Sequence, residues 1–136
     1  LAPPVVVLDE PTTGLDFREC EKVMAIIRRI HEQGATVIMV CHDMEVVADY
    51  ATRCIVMSGG TVVDDAPTFD VLRNRDTLEC ASLVPPQIVD LSLELARDMP
   101  RLAETAVARA NTVDEMLAAV VEEARTTQDV ERSVCA

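Results

Sequence analysis

Long apolar runs are missing from this 136-residue chain. The longest spans about five residues, far short of the roughly 20 that a membrane-crossing helix needs. No basic-then-apolar stretch opens the chain, so no secretion leader is read. Close cysteine pairs are missing too. Cys20, Cys41, Cys54, Cys80 and Cys135 form an odd, scattered set, which fits neither a zinc site nor a disulfide framework. Reduced thiols in a cytosolic protein are the simple reading. Positive charge is scarce: 24 acids face 12 bases, for a net −12. Divided before Pro67, the two halves carry −6 each. With neither half basic, sequence-independent binding of nucleic acid is disfavoured, as is direct adhesion to an anionic membrane. No internal repeat is visible.

What is present is the composition of a folded chain: 49% hydrophobic and 26% charged residues, enough for one domain with a small appendage. It opens Leu-Ala-Pro-Pro without an initiator Met and runs at once into a strand, so it is expected to be the C-terminal part of something longer.

Val5–Leu8 is an unbroken apolar run and predicts a strand covered on both faces. A polar turn, Thr12-Thr13-Gly14-Leu15, follows. Asp16, with Glu19 three residues on, predicts a helix N-terminus. Val23, Ile26, Ile27 and Ile30 are the expected buried face, and Gly34 the expected stop. Thr36–Cys41 is a second apolar strand. Strand, helix and strand make a βαβ unit with parallel strands. A short helix with Met44, Val47, Ala48 and Ala51 on one face comes next. Cys54–Met57 and Thr61–Val63 then flank Ser58-Gly59-Gly60 as a hairpin at a sheet edge, and Pro67 opens a short helix to about Arg73. From Asp76 onward every segment reads as helical. Pro86 sits at a helix start, with Ile88, Leu91 and Leu95 on a face. Leu102, Ala106 and Ala110 suggest another short helix. Thr112 and Glu115 form a capping box for a last helix, with Val113, Met116, Leu117, Val120 and Val121 as its inner stripe. The last ten residues read as frayed.

The polar residues that end the two apolar strands carry the chemistry. Asp9 and Glu10 follow the first and His42 follows the second, and ligands of open parallel sheets bind beyond the carboxyl ends of the strands. Two adjacent acids there suit a nucleotide-hydrolysing site. One carboxylate can hold hydrated Mg²⁺ near phosphates, and the next can orient or deprotonate a water. His31, late in its helix, is given no function.

Val5-Val6-Val7-Leu8-Asp9-Glu10-Pro11-Thr12-Thr13-Gly14-Leu15-Asp16 resembles the Walker B strand and D-loop of ABC-type ATPases. Val37-Ile38-Met39-Val40-Cys41-His42-Asp43, followed by a helix and then Ile55-Val56-Met57-Ser58-Gly59-Gly60, resembles the H-loop region and terminal hairpin of the same family. The tail, with Leu83-Val84-Pro85-Pro86-Gln87 and Thr112-Val113-Asp114-Glu115-Met116-Leu117, is similar to the C-terminal extension of energy-coupling factor transporter ATPases, which power uptake of vitamins and of cobalt or nickel ions.

The resemblance implies an α/β fold: a partial parallel sheet of the P-loop NTPase type with a terminal β-hairpin and a small C-terminal helical extension. Residues 1–75 would be the C-terminal half of the ATPase domain and 76–136 the extension. It implies ATP and Mg²⁺ as cofactors, with Asp9 holding the metal through water. Glu10 would be the catalytic base or water-polariser, His42 the γ-phosphate contact, and Gly14, Leu15 and Asp16 the loop that touches a partner's site. The implied partners are a second ATPase subunit, a transmembrane coupling protein and a substrate-binding membrane component, with no nucleic acid. The implied location is cytoplasmic, at the inner face of the cell membrane.

Other family landmarks are missing. No Gly-x-x-x-x-Gly-Lys-[Ser/Thr] loop, no Q-loop and no Leu-Ser-Gly-Gly-Gln stretch occurs. The phosphate loop supplies the backbone donors and the Lys that cradle phosphates, so this chain alone is expected neither to bind nor to hydrolyse ATP appreciably. With apolar faces left open, it is also expected to be poorly stable alone. The alternatives are an ABC ATPase of another importer class, a DNA-maintenance ATPase (which the acidity opposes), and a non-catalytic module that docks on a partner ATPase or membrane subunit.

Overall fold

The computed structural model describes the backbone of residues 4–134 and the side chains of residues 4–126. The chain packs as two units, Leu1–Thr52 and Arg53–Ala136.

In the first unit, β1 (Val5–Asp9) pairs parallel with β2 (Thr36–Val40), Val5 opposite Thr36 and Asp9 opposite Val40. α1 (Phe17–Glu32) joins them. Its start is chemical: the Asp16 side chain accepts from the Glu19 N–H at 2.9 Å, satisfying an amide that has no partner within the helix. Its end is conformational, since Gly34 adopts φ +96°, a region that favours glycine. α2 (Met44–Tyr50) follows β2, capped by Asp43, whose carboxylate accepts from the Glu45 N–H at 3.0 Å. Met44, Val46 and Val47 are buried.

Two expectations fail in this unit. The strands are not covered on both faces: Val7 is 65% exposed and Ile38 51% exposed, with Val5 and Val40 beside them in register. A single crossover helix can cover only one side of a two-stranded ribbon. On α1 Met24 is buried and Val23, Ile27 and Ile30 of the expected face are half-buried, while Ile26 is exposed. The apolar residues of this helix span more than one face, and the sheet takes the face that carries Met24.

In the second unit, β3 (Arg53–Ser58) and β4 (Thr61–Pro67) form an antiparallel hairpin that is its own two-stranded sheet rather than an edge added to β1 and β2. Gly59 and Gly60 turn it at φ +57° and +80°, as a tight two-residue loop between twisted strands requires. α3 (Thr68–Leu72) and α4 (Arg75–Cys80) follow, and Val56, Val71 and Leu78 make one core with Cys54, Ala66, Ala81 and Leu83 against it. Residue 76 thus lies inside a helix of this unit. α5 (Gln87–Asp98) buries Val89 and Ser92 and leaves Leu91 exposed. The segment expected to be a short helix around Leu102–Ala110 is two 3₁₀ turns, Pro100–Leu102 and Val107–Arg109.

α6 (Val113–Val134) starts where the capping box placed it. The Thr112 hydroxyl accepts from the Glu115 N–H at 3.2 Å, and the Glu115 carboxylate accepts from the Asn111 N–H at 2.8 Å, one residue earlier than the standard reciprocal bond. Its inner stripe is Met116 and Ala119, packed with Leu102, Val107 and Ala110. Val113, Leu117, Val120 and Val121 are exposed, contrary to expectation, because the small core of turns offers only a narrow seat. The helix runs on to Val134, so the tail read as frayed is helical that far. Cys135 lies outside the described residues.

Arg73 ties the segment after α3 to the 3₁₀ region. Its guanidinium donates to the Ala108 and Ala110 carbonyls and to Asn111 Oδ1, the last at 3.0 Å. Ala108 and Ala110 are buried, so removing the donor strands carbonyls away from water. Arg73→Ala is expected to lower stability by about 1–3 kcal/mol. Arg73→Lys is expected to recover little of it, because an ammonium cannot reproduce the planar fork. Urea unfolding of the three proteins checks both.

Candidate active site

β1 ends at Asp9, and the next residue turns sharply. Glu10 has φ +49°, a left-handed conformation that costs a non-glycine residue about 1–3 kcal/mol. Backbone bonds on both sides hold it. The Glu10 N–H donates to the Val40 carbonyl at 2.9 Å, and the Glu10 carbonyl accepts from the Thr13 N–H at 3.2 Å. Glu10 is therefore pinned to the end of β2, next to the segment that carries His42.

The two side chains meet. His42 Nδ1 lies 2.7 Å from Glu10 Oε1. An ionised carboxylate can only accept, so Nδ1 carries the proton and donates. The other carboxylate oxygen, Oε2, accepts from the Thr13 hydroxyl at 2.8 Å. The bond from His42, then that from Thr13, holds the Glu10 carboxyl below its usual range. The bond to Glu10, followed by the attraction of its charge, holds the His42 imidazole above its usual range. Both groups face solvent, with side chains 34% and 71% exposed, so the pair adds little to stability.

The signs define a window. Falling pH protonates Glu10 and breaks the pair below the ordinary carboxyl range; rising pH deprotonates His42 and weakens it above the ordinary imidazole range. Between those limits both charges are in place.

Around this pair, Asp9 stands at the strand end opposite Val40, exposed. Gly14 adopts φ +78° in the turn before α1. Asp16 is occupied as the cap of α1. Cys41 precedes His42 in the chain: its Sγ accepts from the Asp43 N–H at 3.3 Å, and burial pushes the thiol's pKa up. Thr13 was not singled out from sequence, although it fills one of the two Glu10 oxygens. A hydroxyl three residues after an acid in a turn was the available signal.

As to a metal, no group of three or more potential ligands converges among the described residues. Asp9 offers one accessible carboxylate. Mg²⁺ commonly takes one or two carboxylates and leaves its other positions to water and substrate phosphates. The donor set therefore fits an ion that arrives with a nucleotide, and it does not fit a self-sufficient metal site.

Comparison with known proteins gives this rim its context. The ATP-binding protein EcfA2 of the energy-coupling factor transporter of Clostridium perfringens is 46% identical over 96 residues, covering 70% of this chain and 34% of its own length. EcfA2 of Acetivibrio thermocellus is 36% identical over 117 residues, covering 85% of this chain and 42% of its own. The chain belongs to the ABC-type ATPases. It spans less than half the length of these curated relatives, and 16 to 18% of longer ABC transporter ATP-binding proteins that it also matches. No family model matches. A solved structure of cbiO1 from Clostridium perfringens, described as part of the ABC transporter complex cbiONQ, aligns with a TM-score of 0.47 at 26% identity, covering 74% of this chain and 35% of that one. Among the described residues no helix is long and apolar enough to cross a membrane.

Proposed function

We propose that this ABC-ATPase chain carries the hydrolytic rim of an ATP-binding subunit that powers solute uptake in an energy-coupling factor type transporter. The observation that carries the reading is the 2.7 Å contact between His42 and Glu10 across the ends of two neighbouring parallel strands. It puts an acid and an imidazole at one point on the rim where such sheets bind ligands.

Each residue has a part in this reading. Asp9 is the carboxylate for a water-shelled Mg²⁺ that comes with ATP, an ion that neutralises charge developing on the phosphates. Glu10 lies next to it. Its lowered pKa makes it a weak proton acceptor at neutral pH, so it acts chiefly by orienting and polarising the attacking water. His42, whose protonated form Glu10 favours, offers its ring to the terminal phosphate. Gly14 and Asp16 shape the loop that meets a second ATPase subunit, with Asp16 fixing the start of α1. A membrane-embedded coupling protein and substrate-binding component would complete the transporter, with this subunit at the inner membrane face. The relatives named for energy-coupling factor transport support that type over other importers.

The rim lacks a cradle. No phosphate loop occurs in the sequence, and backbone amides of such a loop provide most of the grip on a triphosphate. The 136-residue chain alone is therefore expected to show no Mg²⁺-dependent phosphate release above background. Robust turnover by the purified chain would overturn this dependence on a phosphate loop, and an unchanged turnover in Glu10→Gln of a subunit that has the loop would overturn the proposal.

A further inference from the structure

The first unit also gathers positive charge in one place. Arg18, Lys22, Arg28 and Arg29 are four of the five basic residues before Pro67, and Lys22 is the only lysine of the chain. All four lie on α1. Arg18, Lys22 and Arg28, with Glu21, Ala25 and Tyr50, line a hollow of about 580 Å³ where α1 meets the end of α2. The Arg28 guanidinium sits over the Tyr50 ring, 5.3 Å from its centre. Among the described residues none of these three cations forms an ion pair.

The placement works against the helix. Arg18 stands in the first turn, where the helix dipole repels cations. Arg18 and Lys22 are four residues apart on one face, where like charges repel. Among the described residues Glu21 is the only carboxylate lining the hollow, which leaves it net positive. In a chain of net −12, three cations with no ion pair among the described residues gather around one concavity. Local rules broken in this way mark places kept for a ligand.

We propose that this hollow binds a phosphate-bearing ligand, either a free polyphosphate or the phosphate of a lipid headgroup. Arg18 and Arg28 present planar forks to its oxygens, Lys22 adds a point charge, and Tyr50 forms the wall that fixes Arg28. The site is separate from Glu10 and His42, and the inference stands without any role for them.

Tyr50 is the only tyrosine, and the chain has no tryptophan, so intrinsic tyrosine emission reports on the hollow alone. The 136-residue chain is titrated at constant ionic strength with inorganic pyrophosphate, and separately with phosphatidylglycerol and phosphatidylcholine vesicles. A saturable change is expected with pyrophosphate, with phosphatidylglycerol, or with both, and none with phosphatidylcholine. Saturation by pyrophosphate identifies free phosphate as a source, and saturation by phosphatidylglycerol alone identifies the headgroup. Lys22→Gln and Arg28→Gln are each expected to weaken binding about tenfold with an unchanged far-ultraviolet circular dichroism spectrum. Arg18→Gln, which leaves the Arg28–Tyr50 contact in place, serves if Arg28→Gln disturbs the helix. Absence of a saturable change with either anionic probe, or an unaltered titration in Lys22→Gln, overturns the proposal.

Discussion

In an ATP-binding subunit that carries this sequence together with a phosphate loop, Glu10→Gln is expected to lower the rate of ATP turnover by about 10²–10⁴-fold, the usual worth of a positioned acid–base group. ATP affinity should change little, because the triphosphate is held elsewhere. The amide keeps the size of the side chain; its one oxygen can accept from the His42 Nδ1–H while its NH2 turns to the Thr13 hydroxyl as a donor. It loses the charge that orients a water. Since the Glu10–His42 pair is exposed, the thermal midpoint should barely move, which separates loss of chemistry from loss of fold. Phosphate release at saturating Mg-ATP, with filter retention of labelled ATP, measures both. Unchanged turnover would remove Glu10 from the mechanism.

The largest effect on stability is expected in the second unit. Leu78, 1% exposed, closes the core with Val56 and Val71. Leu78→Ala removes buried carbon and leaves a void between the hairpin and α3 that the rigid strands cannot fill, at a cost of about 2–5 kcal/mol. Leu117→Ala, on a residue 59% exposed, should cost well under about 1 kcal/mol. Chemical denaturation of the two variants beside the parent gives the contrast, and equal losses would mean that the assigned core is not the one holding the unit together.

Local signals in the sequence were read well where local chemistry decides. Asp16 capping α1, the Gly59-Gly60 turn and the Thr112–Glu115 start of α6 each depend on bonds reaching only a few residues. The parallel pairing of the two apolar strands, which brings Glu10 and His42 together, was legible from the order of strand, helix and strand. Burial was harder. Val7, Ile38, Leu117 and Val120 are apolar and expected inside, yet exposed. An apolar stripe records an affinity for cover and not which neighbour supplies it. Ile26 and Met24 show the same limit on one helix, where two faces compete and tertiary packing chooses. The positive φ of Glu10 left no trace in composition or pattern, since nothing local favours it. It follows from how the turn is pinned to Val40 and Thr13.

The most direct test of the Glu10–His42 rim is a proton NMR titration of the chain's two histidines. In the parent protein the His42 ring protons should titrate above the ordinary imidazole value of 6.5, and in Glu10→Gln their midpoint should fall back toward it. A His42 midpoint that is the same in both proteins would mean that the acid and the imidazole do not meet.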